Sequence, residues 1–146
     1  MKTYFENKKN IFLLNNNLIN KVIKNSKNKL SRSRINLHKN FKSNIQEMFI
    51  VFRKNSYVEP HYFKEKNTFF RLFKGKFAIK IYRKKKIIKK YILQKSNEML
   101  LIEKGTVYDI ICLSKIGIVQ ELMNGPFNKK FFKKIIFIRI ISLVLP

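Results

Sequence analysis

The sequence predicts a mainly β protein, a small antiparallel β-barrel preceded by a short N-terminal helix. From Glu47 onward, apolar residues recur at a period of two, which is typical of strands with one buried face. Turn-forming residues interrupt this alternation at regular spacing, and no helical pattern lies between the strand-like runs. Many short strands without intervening helices indicate an antiparallel sandwich or barrel.

An amphipathic helix is expected ahead of the strands, within residues 11–27. Its apolar face consists of Leu14, Leu18, Ile19, Val22 and Ile23. The charged residues 1–10 are expected to form a frayed terminus, and the polar, basic run 26–33 is expected to form a linker.

Strand-like runs make up most of the rest of the chain. They cover residues 48–53, 68–73, 77–82, 87–93, 99–102, 107–113 and 118–123. The densest basic cluster, residues 83–86 with Lys89 and Lys90, falls where a hairpin tip is expected. We interpret it as a solvated turn, since like charges gather readily at exposed loop tips.

The chain is strongly basic: its 146 residues include 33 Lys and Arg against 8 Asp and Glu, a net charge of +25. Nucleic acid or an anionic membrane is the usual partner of such a surface. Only six of the 33 are arginine, however, whereas nucleic-acid readers rely on the arginine fork. The excess of Lys, Asn, Ile and Phe, which have A/T-rich codons, favours a compositional bias. We therefore expect only weak and unspecific nucleic-acid binding.

The sequence favours a cytoplasmic protein. Cys112 is the only cysteine, which excludes an internal disulfide and fits a reducing compartment. We expect it to be a buried small side chain. The polar start of the chain has no signal-peptide pattern, and the apolar tail 135–145 has about half the length of a membrane span. No membrane insertion is expected.

The segment from Ser56 to Gly75 resembles the metal-binding motif of cupins. In that motif two histidines, one residue apart, are followed by a carboxylate five residues later and a glycine seven residues after that. The corresponding residues here are His61, Phe63, Thr68 and Gly75. The spacing is kept, but an aromatic ring and a hydroxyl stand where two ligands are expected.

Further segments resemble the WbuC family of cupin-fold metalloproteins, some of whose members lie in bacterial O-antigen gene clusters. The matching segments are residues 34–38, 46–48, 56–61, Gly75, Gly105 and residues 121–127, in that order. The likeness spans residues 11–131, and 57–61 and 124–127 are its most specific parts. It implies a small cupin-type antiparallel β-barrel with an N-terminal helix, but it names no reaction.

The resemblance also implies that the last histidine ligand of the family falls on Tyr108. A transition metal needs three or four N, O or S ligands, so His61 alone cannot hold one. Asp109 is expected to face away from Tyr108, and Glu121 would join only if the barrel brings it close. His61 is thus the only retained metal ligand. We expect no cofactor in place of the ancestral divalent transition metal.

Strand periodicity predicts that the former ligand positions still converge. His61 and Phe63 are two residues apart and point to one face, and Thr68 and Tyr108 lie on mostly apolar faces of their own strands. We expect Phe63, Thr68 and Tyr108 to line a cavity beside His61. No catalytic or cofactor-binding residue is assigned, since no nucleophile motif is present and His38 is expected to precede the barrel.

Three functions follow from this sequence. The leading interpretation is a degenerate cupin-fold protein of unknown role that no longer binds metal. The first alternative is a metal-dependent cupin acting on sugars in surface-polysaccharide metabolism, and the second is a basic nucleic-acid-binding barrel. Whether the protein is an enzyme stays open. An unidentified small molecule is a candidate partner, and monomer and homodimer both stay open.

The domain organisation predicted from the sequence has three parts. Residues 1–30 form an N-terminal tail and amphipathic helix, residues 31–131 the cupin-like β-barrel domain, and residues 132–146 a divergent basic and apolar C-terminal tail.

Overall fold

A computed structural model of the protein describes residues 4–26 and 32–135. Its strands are β1 (Tyr4–Glu6), β2 (Arg32–Asn36), β3 (Ile45–Arg53), β4 (Tyr57–Phe63), β5 (Thr68–Lys74), β6 (Phe77–Arg83), β7 (Lys86–Leu93), β8 (Met99–Ile102), β9 (Val107–Cys112), β10 (Ile116–Asn124) and β11 (Phe132–Lys134). The helix α1 spans Asn16–Asn25, and a 3-10 turn spans Lys129–Phe131. The prediction of a mainly β chain with a short N-terminal helix is confirmed.

The strands form two sheets that enclose the main core. The six-stranded sheet has the order β1-β2-β3-β10-β5-β8, and the five-stranded sheet has the order β11-β4-β9-β6-β7. Neighbouring strands are antiparallel except for β1 and β2, which are parallel. The inner faces of both sheets contribute Phe52, Phe70, Phe77, Ile79 and Tyr108 to one buried cluster. The rings of Phe52 and Phe77 meet edge to face, with centroids 5.2 Å apart.

The helix packs on the outer face of the six-stranded sheet. Ile19 and Val22 are buried there against Ile35, Phe49 and Val51. α1 starts later than the predicted range 11–27 because Asn15 caps its N-terminus: the Asn15 side chain accepts a hydrogen bond from the Leu18 amide at 3.1 Å. Asparagine is a favoured N-cap, so the three consecutive asparagines place the start of the helix.

The two ends of the described chain add strands that the sequence did not predict. Residues 4–6 lie within the expected frayed terminus, yet they form β1 alongside β2. The linker predicted over residues 26–33 lies mostly outside the described residues, and Arg32 already belongs to β2. In the predicted C-terminal tail, β11 pairs with β4, and residues 136–146 lie outside the described residues. The three-part division of the chain stays a prediction.

Gly75 occupies the tight turn between β5 and β6. Its φ is +89°, a left-handed conformation that glycine adopts without a steric penalty. A Cβ there would also lie 2.5 Å from the Ile116 carbonyl oxygen. The glycine in the cupin spacing therefore has a structural reason of its own. It does not depend on a bound metal.

The basic run between β6 and β7 is a hairpin tip, as predicted. Lys84 and Lys85 form the turn with positive φ angles of 47° and 65°. Cys112 is fully buried, also as predicted, and its thiol donates a hydrogen bond to the Ser114 carbonyl at 3.2 Å. Within residues 4–26 and 32–135, no helix has the length and apolar character needed to cross a bilayer.

Candidate functional site

A cavity of about 680 Å³ lies between the two sheets. Its walls come from β2, β3 and β10 of one sheet and from β4 and β11 of the other. Aromatic side chains make up about a third of the lining and include Phe52, Phe63, Phe70, Phe127 and Phe132. This volume and this largely apolar wall are typical of small-molecule sites, in which a few polar groups fix the ligand.

His61 is buried in β4 at the wall of this cavity, with only 5% of its surface exposed. Its Nδ1 lies 2.8 Å from the Glu59 carbonyl oxygen, so the ring proton belongs on Nδ1 and Nε2 keeps its lone pair. Burial lowers the pKa of the imidazole, although the contact with the Glu59 carbonyl raises it. His61 is therefore neutral at pH 7.

Aromatic rings pack around His61 on several sides. The ring centroids of Tyr108, Phe132 and Phe63 lie 4.4, 5.1 and 5.8 Å from the imidazole centroid. Pairing of β4 with β9 sets His61 opposite Tyr108. The predicted convergence of these former ligand positions thus arises from strand register.

The four predicted residues do not all reach the cavity wall. His61 and Phe63 line it, whereas Thr68 and Tyr108 are each 1% exposed and do not. The physical reason is the close packing of Tyr108 beneath His61 and against Phe70, whose ring centroid is 5.9 Å away. Thr68 and Tyr108 therefore form a buried layer behind the wall, which corrects the expectation that they line the cavity.

The hydroxyl of Tyr108 is a buried polar group within this layer. It makes no hydrogen bond of normal geometry, although the Thr68 hydroxyl is close enough to influence its pKa. Burial raises the pKa of Tyr108 well above its ordinary value of 10.0, and the nearby Glu121 raises it further. A phenol held neutral in this way is a poor metal ligand.

Asp109 faces away from this layer, as the alternation of β9 predicted. Its carboxylate is fully buried on the other side of the sheet. It accepts hydrogen bonds from the Tyr82 hydroxyl at 2.6 Å and the Tyr57 hydroxyl at 3.3 Å, and it pairs with Lys80 at 3.4 Å. These partners give Asp109 a structural role and separate it from His61.

The polar side chains that β2 presents to the cavity were not predicted from the sequence. Arg32, Arg34 and Asn36 alternate along the strand and all three line the cavity, while the intervening Ser33 and Ile35 are buried on the opposite face. The period-two pattern of residues 32–36 was the available signal. The pattern is short and only Ile35 in it is apolar, and the predicted linker 26–33 already included Arg32.

Glu121 in β10 also reaches the cavity, on the wall next to β3 and β5. Burial raises its pKa from 4.5 to about 7, even though Arg32 and Arg34 act in the opposite direction. The strand arrangement thus places Glu121 at the cavity. The sequence alone could not predict whether it would lie there.

His38 is a wall residue as well, which corrects the expectation that it precedes the barrel. β2 belongs to the six-stranded sheet, so the residue just after it still borders the cavity. The His38 Nδ1 lies 2.9 Å from the Glu47 carbonyl oxygen and 3.1 Å from the Glu47 amide nitrogen, and burial lowers its pKa. His38 is therefore also neutral at pH 7.

The segment 124–127, one of the most specific parts of the family resemblance, contributes Phe127 to the cavity wall. The buried Lys66 ammonium donates to the carbonyls of Asn124 and Pro126. Phe127 packs on Phe41 with ring centroids 5.5 Å apart, and both rings line the cavity. The segment thus has a structural role in shaping the site.

The polar groups of the cavity do not form a metal centre. Among the residues the structure describes, no three His, Cys, Asp or Glu side chains come close enough to share a metal ion. His61 would need at least two further ligands, and its ring neighbours carry none with a suitable lone pair. The donor set therefore does not fit a divalent transition metal.

Comparison with known families and curated proteins gives one match. A family model described as "Domain of unknown function (DUF6016)" matches residues 14–94, which is more than half of the chain. No curated protein matches the sequence.

Solved structures resemble this fold at low sequence identity. KdgF from Halomonas sp. has a TM-score of 0.56 and 13% identity over 68% of this chain and 83% of its own. A protein from Bacillus halodurans has a TM-score of 0.63 and 13% identity over 85% of this chain and 88% of its own.

The capsular polysaccharide assembling protein CapF from Staphylococcus aureus is a further structural neighbour. It has a TM-score of 0.57 and 19% identity over 66% of this chain, but this chain matches only 27% of the length of CapF. At these identities the likenesses show the fold alone. The chain has the cupin fold, with two sheets, antiparallel apart from the β1–β2 pair, around a cavity.

Proposed function

The chain belongs to the DUF6016 family, a domain family of unknown function, and we propose that it is a cupin that binds a small molecule without a metal ion. It is a degenerate cupin in the sense that its cavity is kept while its metal chemistry is lost. We further propose that it is a divergent relative of the WbuC family and that it works in the cytoplasm.

One observation carries this proposal: aromatic rings occupy the space around His61. With Tyr108, Phe132 and Phe63 all within 5.8 Å of the imidazole centroid, the positions that would hold metal ligands hold packed side chains. The cavity beside them nevertheless stays open, at about 680 Å³. Loss of ligands together with retention of the cavity favours binding without metal.

Metal analysis of the purified, untagged protein tests the proposal. We expect well under one equivalent of Zn, Fe, Mn or Ni, because His61 lacks companion ligands. The matched control is His61→Ala, which should carry the same trace amount. Stoichiometric metal that is lost in His61→Ala would instead support the first alternative, a metal-dependent cupin in surface-polysaccharide metabolism. This alternative is supported by the structural likeness to CapF, which is a capsular polysaccharide assembling protein.

The second alternative, a nucleic-acid-binding barrel, draws on the basic edge of the five-stranded sheet. Lys85, Lys86, Lys89 and Lys90 are exposed there, on the β6–β7 turn and β7 itself. Exposed Lys also protects an edge strand against pairing with another chain, so the cluster has a structural explanation.

Nucleic-acid binding is expected to be weak and lost as salt rises. Anisotropy titrations with single-stranded RNA and duplex DNA should show affinity at about 20 mM salt that falls steeply by about 150 mM, with no sequence preference. A complex that survives physiological salt, prefers one sequence and is lost on Lys89→Glu with Lys90→Glu would favour the second alternative.

A further inference from the structure

We propose that the β2 side of the cavity is a subsite for one carboxylate or phosphate group of a small hydroxyl-bearing ligand, such as a sugar acid or a sugar phosphate. Arg32 and Arg34 would hold the anionic group, and Asn36 would bind a hydroxyl. The inference rests on the proposed function, since it assigns the class of molecule that the metal-free cavity takes.

Strand geometry places the three side chains in a row along one wall. The register with β3 sets Arg32 opposite Phe52, Arg34 opposite Ile50 and Asn36 opposite Met48. Arg32 is exposed at the mouth, with its guanidinium carbon 5.9 Å from the Phe52 ring centre, Arg34 is half-buried, and Asn36 is buried. The row therefore leads from solvent into the cavity.

The choice of arginine is informative in this chain. Lys and Arg together number 33, and only six are Arg, yet both basic residues of the β2 face are Arg. The guanidinium fork matches the two oxygens of a carboxylate or phosphate, which the point charge of Lys does not. Two of the six arginines of the chain therefore lie on this one strand face, where the guanidinium fork suits anion binding.

Basic side chains outnumber acidic ones among the lining residues that the structure describes, with Arg32, Arg34 and Lys134 against Glu59 and Glu121. Glu59 is paired with Lys134 at 3.3 Å, so it brings no net negative charge to the wall. Glu121, with its raised pKa, carries only part of a charge near neutral pH. His38 and His61 are neutral. The described lining residues thus carry a net positive charge near neutral pH, which favours an anionic ligand.

The buried amide of Asn36 is a second feature that indicates a ligand at this wall. Its side chain is 5% exposed, and its Oδ1 has no hydrogen-bond partner among the described groups. A buried acceptor without a donor is rare and destabilising. A ligand hydroxyl at this position would donate to it. The polar end of the ligand therefore needs hydroxyl groups beside its charge.

Calorimetric titrations with matched ligands test this subsite in the presence of EDTA. The probes are glucuronate and glucose 6-phosphate, each against glucose, which lacks the charge, and against methyl phosphate and butyrate, which lack the alcohol hydroxyl groups. We expect at least one of the charged sugars to bind about 10- to 100-fold more tightly than glucose and than both hydroxyl-free anions.

Substitutions of the β2 residues test whether the charged sugar binds at this subsite. Arg32→Gln and Arg34→Gln should each weaken the charged sugar by about 10-fold or more. Arg83→Gln removes the same charge from the exposed β6–β7 hairpin and should leave the affinity unchanged. Asn36→Leu should abolish the preference for the charged sugar over the hydroxyl-free anions. Arg32 is exposed, so its variant tests the subsite even if Arg34→Gln folds poorly.

Three outcomes would overturn the inference. These are glucose binding as tightly as the charged sugars, anion binding that Arg32→Gln and Arg34→Gln leave intact, and no binding of any anion at millimolar concentration. A failure of the proposed function would give a different result from a failure of the subsite. Stoichiometric metal in the purified protein would reject metal-free binding, while arginine-dependent sugar binding in EDTA would still support the subsite.

Discussion

Replacing Phe63 by His, Thr68 by Glu and Tyr108 by His should convert the cavity wall into a metal site. Together with His61, the three substitutions supply three imidazoles and a carboxylate, the ligand types that Zn²⁺ and related ions prefer. The packing supports convergence, since His61 already lies 4.4 Å from Tyr108 and 5.8 Å from Phe63 between ring centroids. We expect Zn²⁺ affinity to rise by at least about 1,000-fold over the unmodified protein.

Calorimetry and thermal unfolding with and without Zn²⁺ measure this gain. Circular dichroism first confirms that the triple variant is folded, because Tyr108→His removes a buried ring. Bound metal should then raise the unfolding temperature of the triple variant and not that of the unmodified protein. The matched control adds His61→Ala to the three substitutions and should lose most of the gain. A folded triple variant with unchanged affinity would show that these positions do not converge as the packing indicates.

Glu121→Gln should remove a large pH dependence of stability. Burial raises the pKa of the Glu121 carboxyl from 4.5 to about 7, whereas in the unfolded chain it ionises near 4.5. Between these values the unfolded protein has released a proton that the folded protein still holds, so the free energy of unfolding falls as pH rises. The loss starts near pH 4.5, is complete above pH 7, and amounts to about 3 kcal/mol.

Glutamine keeps the shape of the side chain and cannot ionise. At pH 8 we therefore expect Glu121→Gln to be more stable than the unmodified protein by about 3 kcal/mol, seen as an unfolding temperature about 10 °C higher. At pH 4 the two proteins should be nearly equal in stability. Chemical unfolding at a series of pH values from 4 to 8 provides the comparison.

Other titrating groups near Glu121 affect both proteins alike. The lowered pKa values of His38 and His61 cost stability as pH falls below 6.5, because the unfolded chain then takes up protons that the folded chain resists. This trend cancels in the difference between the two proteins. Glu103→Gln, which removes the same charge at an exposed position, should show no such difference. A difference that does not change with pH would refute the raised pKa.

Sequence patterns predicted much of the fold, for physical reasons visible in particular elements. The strands β3, β6 and β9 could be predicted because alternate apolar residues of each lie in the main core. The turn at Gly75 could be predicted because its backbone conformation favours glycine. β1 and β2 were not predicted, because a short strand of mixed polar residues has no periodic apolar face. Their pairing depends on distant parts of the chain.

The candidate site was only partly predictable. His61 and Phe63 could be placed because a two-residue spacing within one strand fixes their common face. The burial of Tyr108 behind His61 depends on how β4 and β9 pair, and no local pattern encodes that. Arg32, Arg34 and Asn36 line the cavity only because β2 joins the six-stranded sheet. Glu121 reaches it through the packing of β10 between β3 and β5.

The most direct test of metal-free binding is to titrate the tightest-binding charged sugar into the protein twice. One titration contains EDTA, and the other contains saturating Zn²⁺ or Mn²⁺ without a chelator. If the arginines hold the ligand and the aromatic layer has replaced the metal, the two dissociation constants should agree within about twofold. Binding that appears only when metal is present would contradict the account, since it would show that the cavity still works through a metal ion.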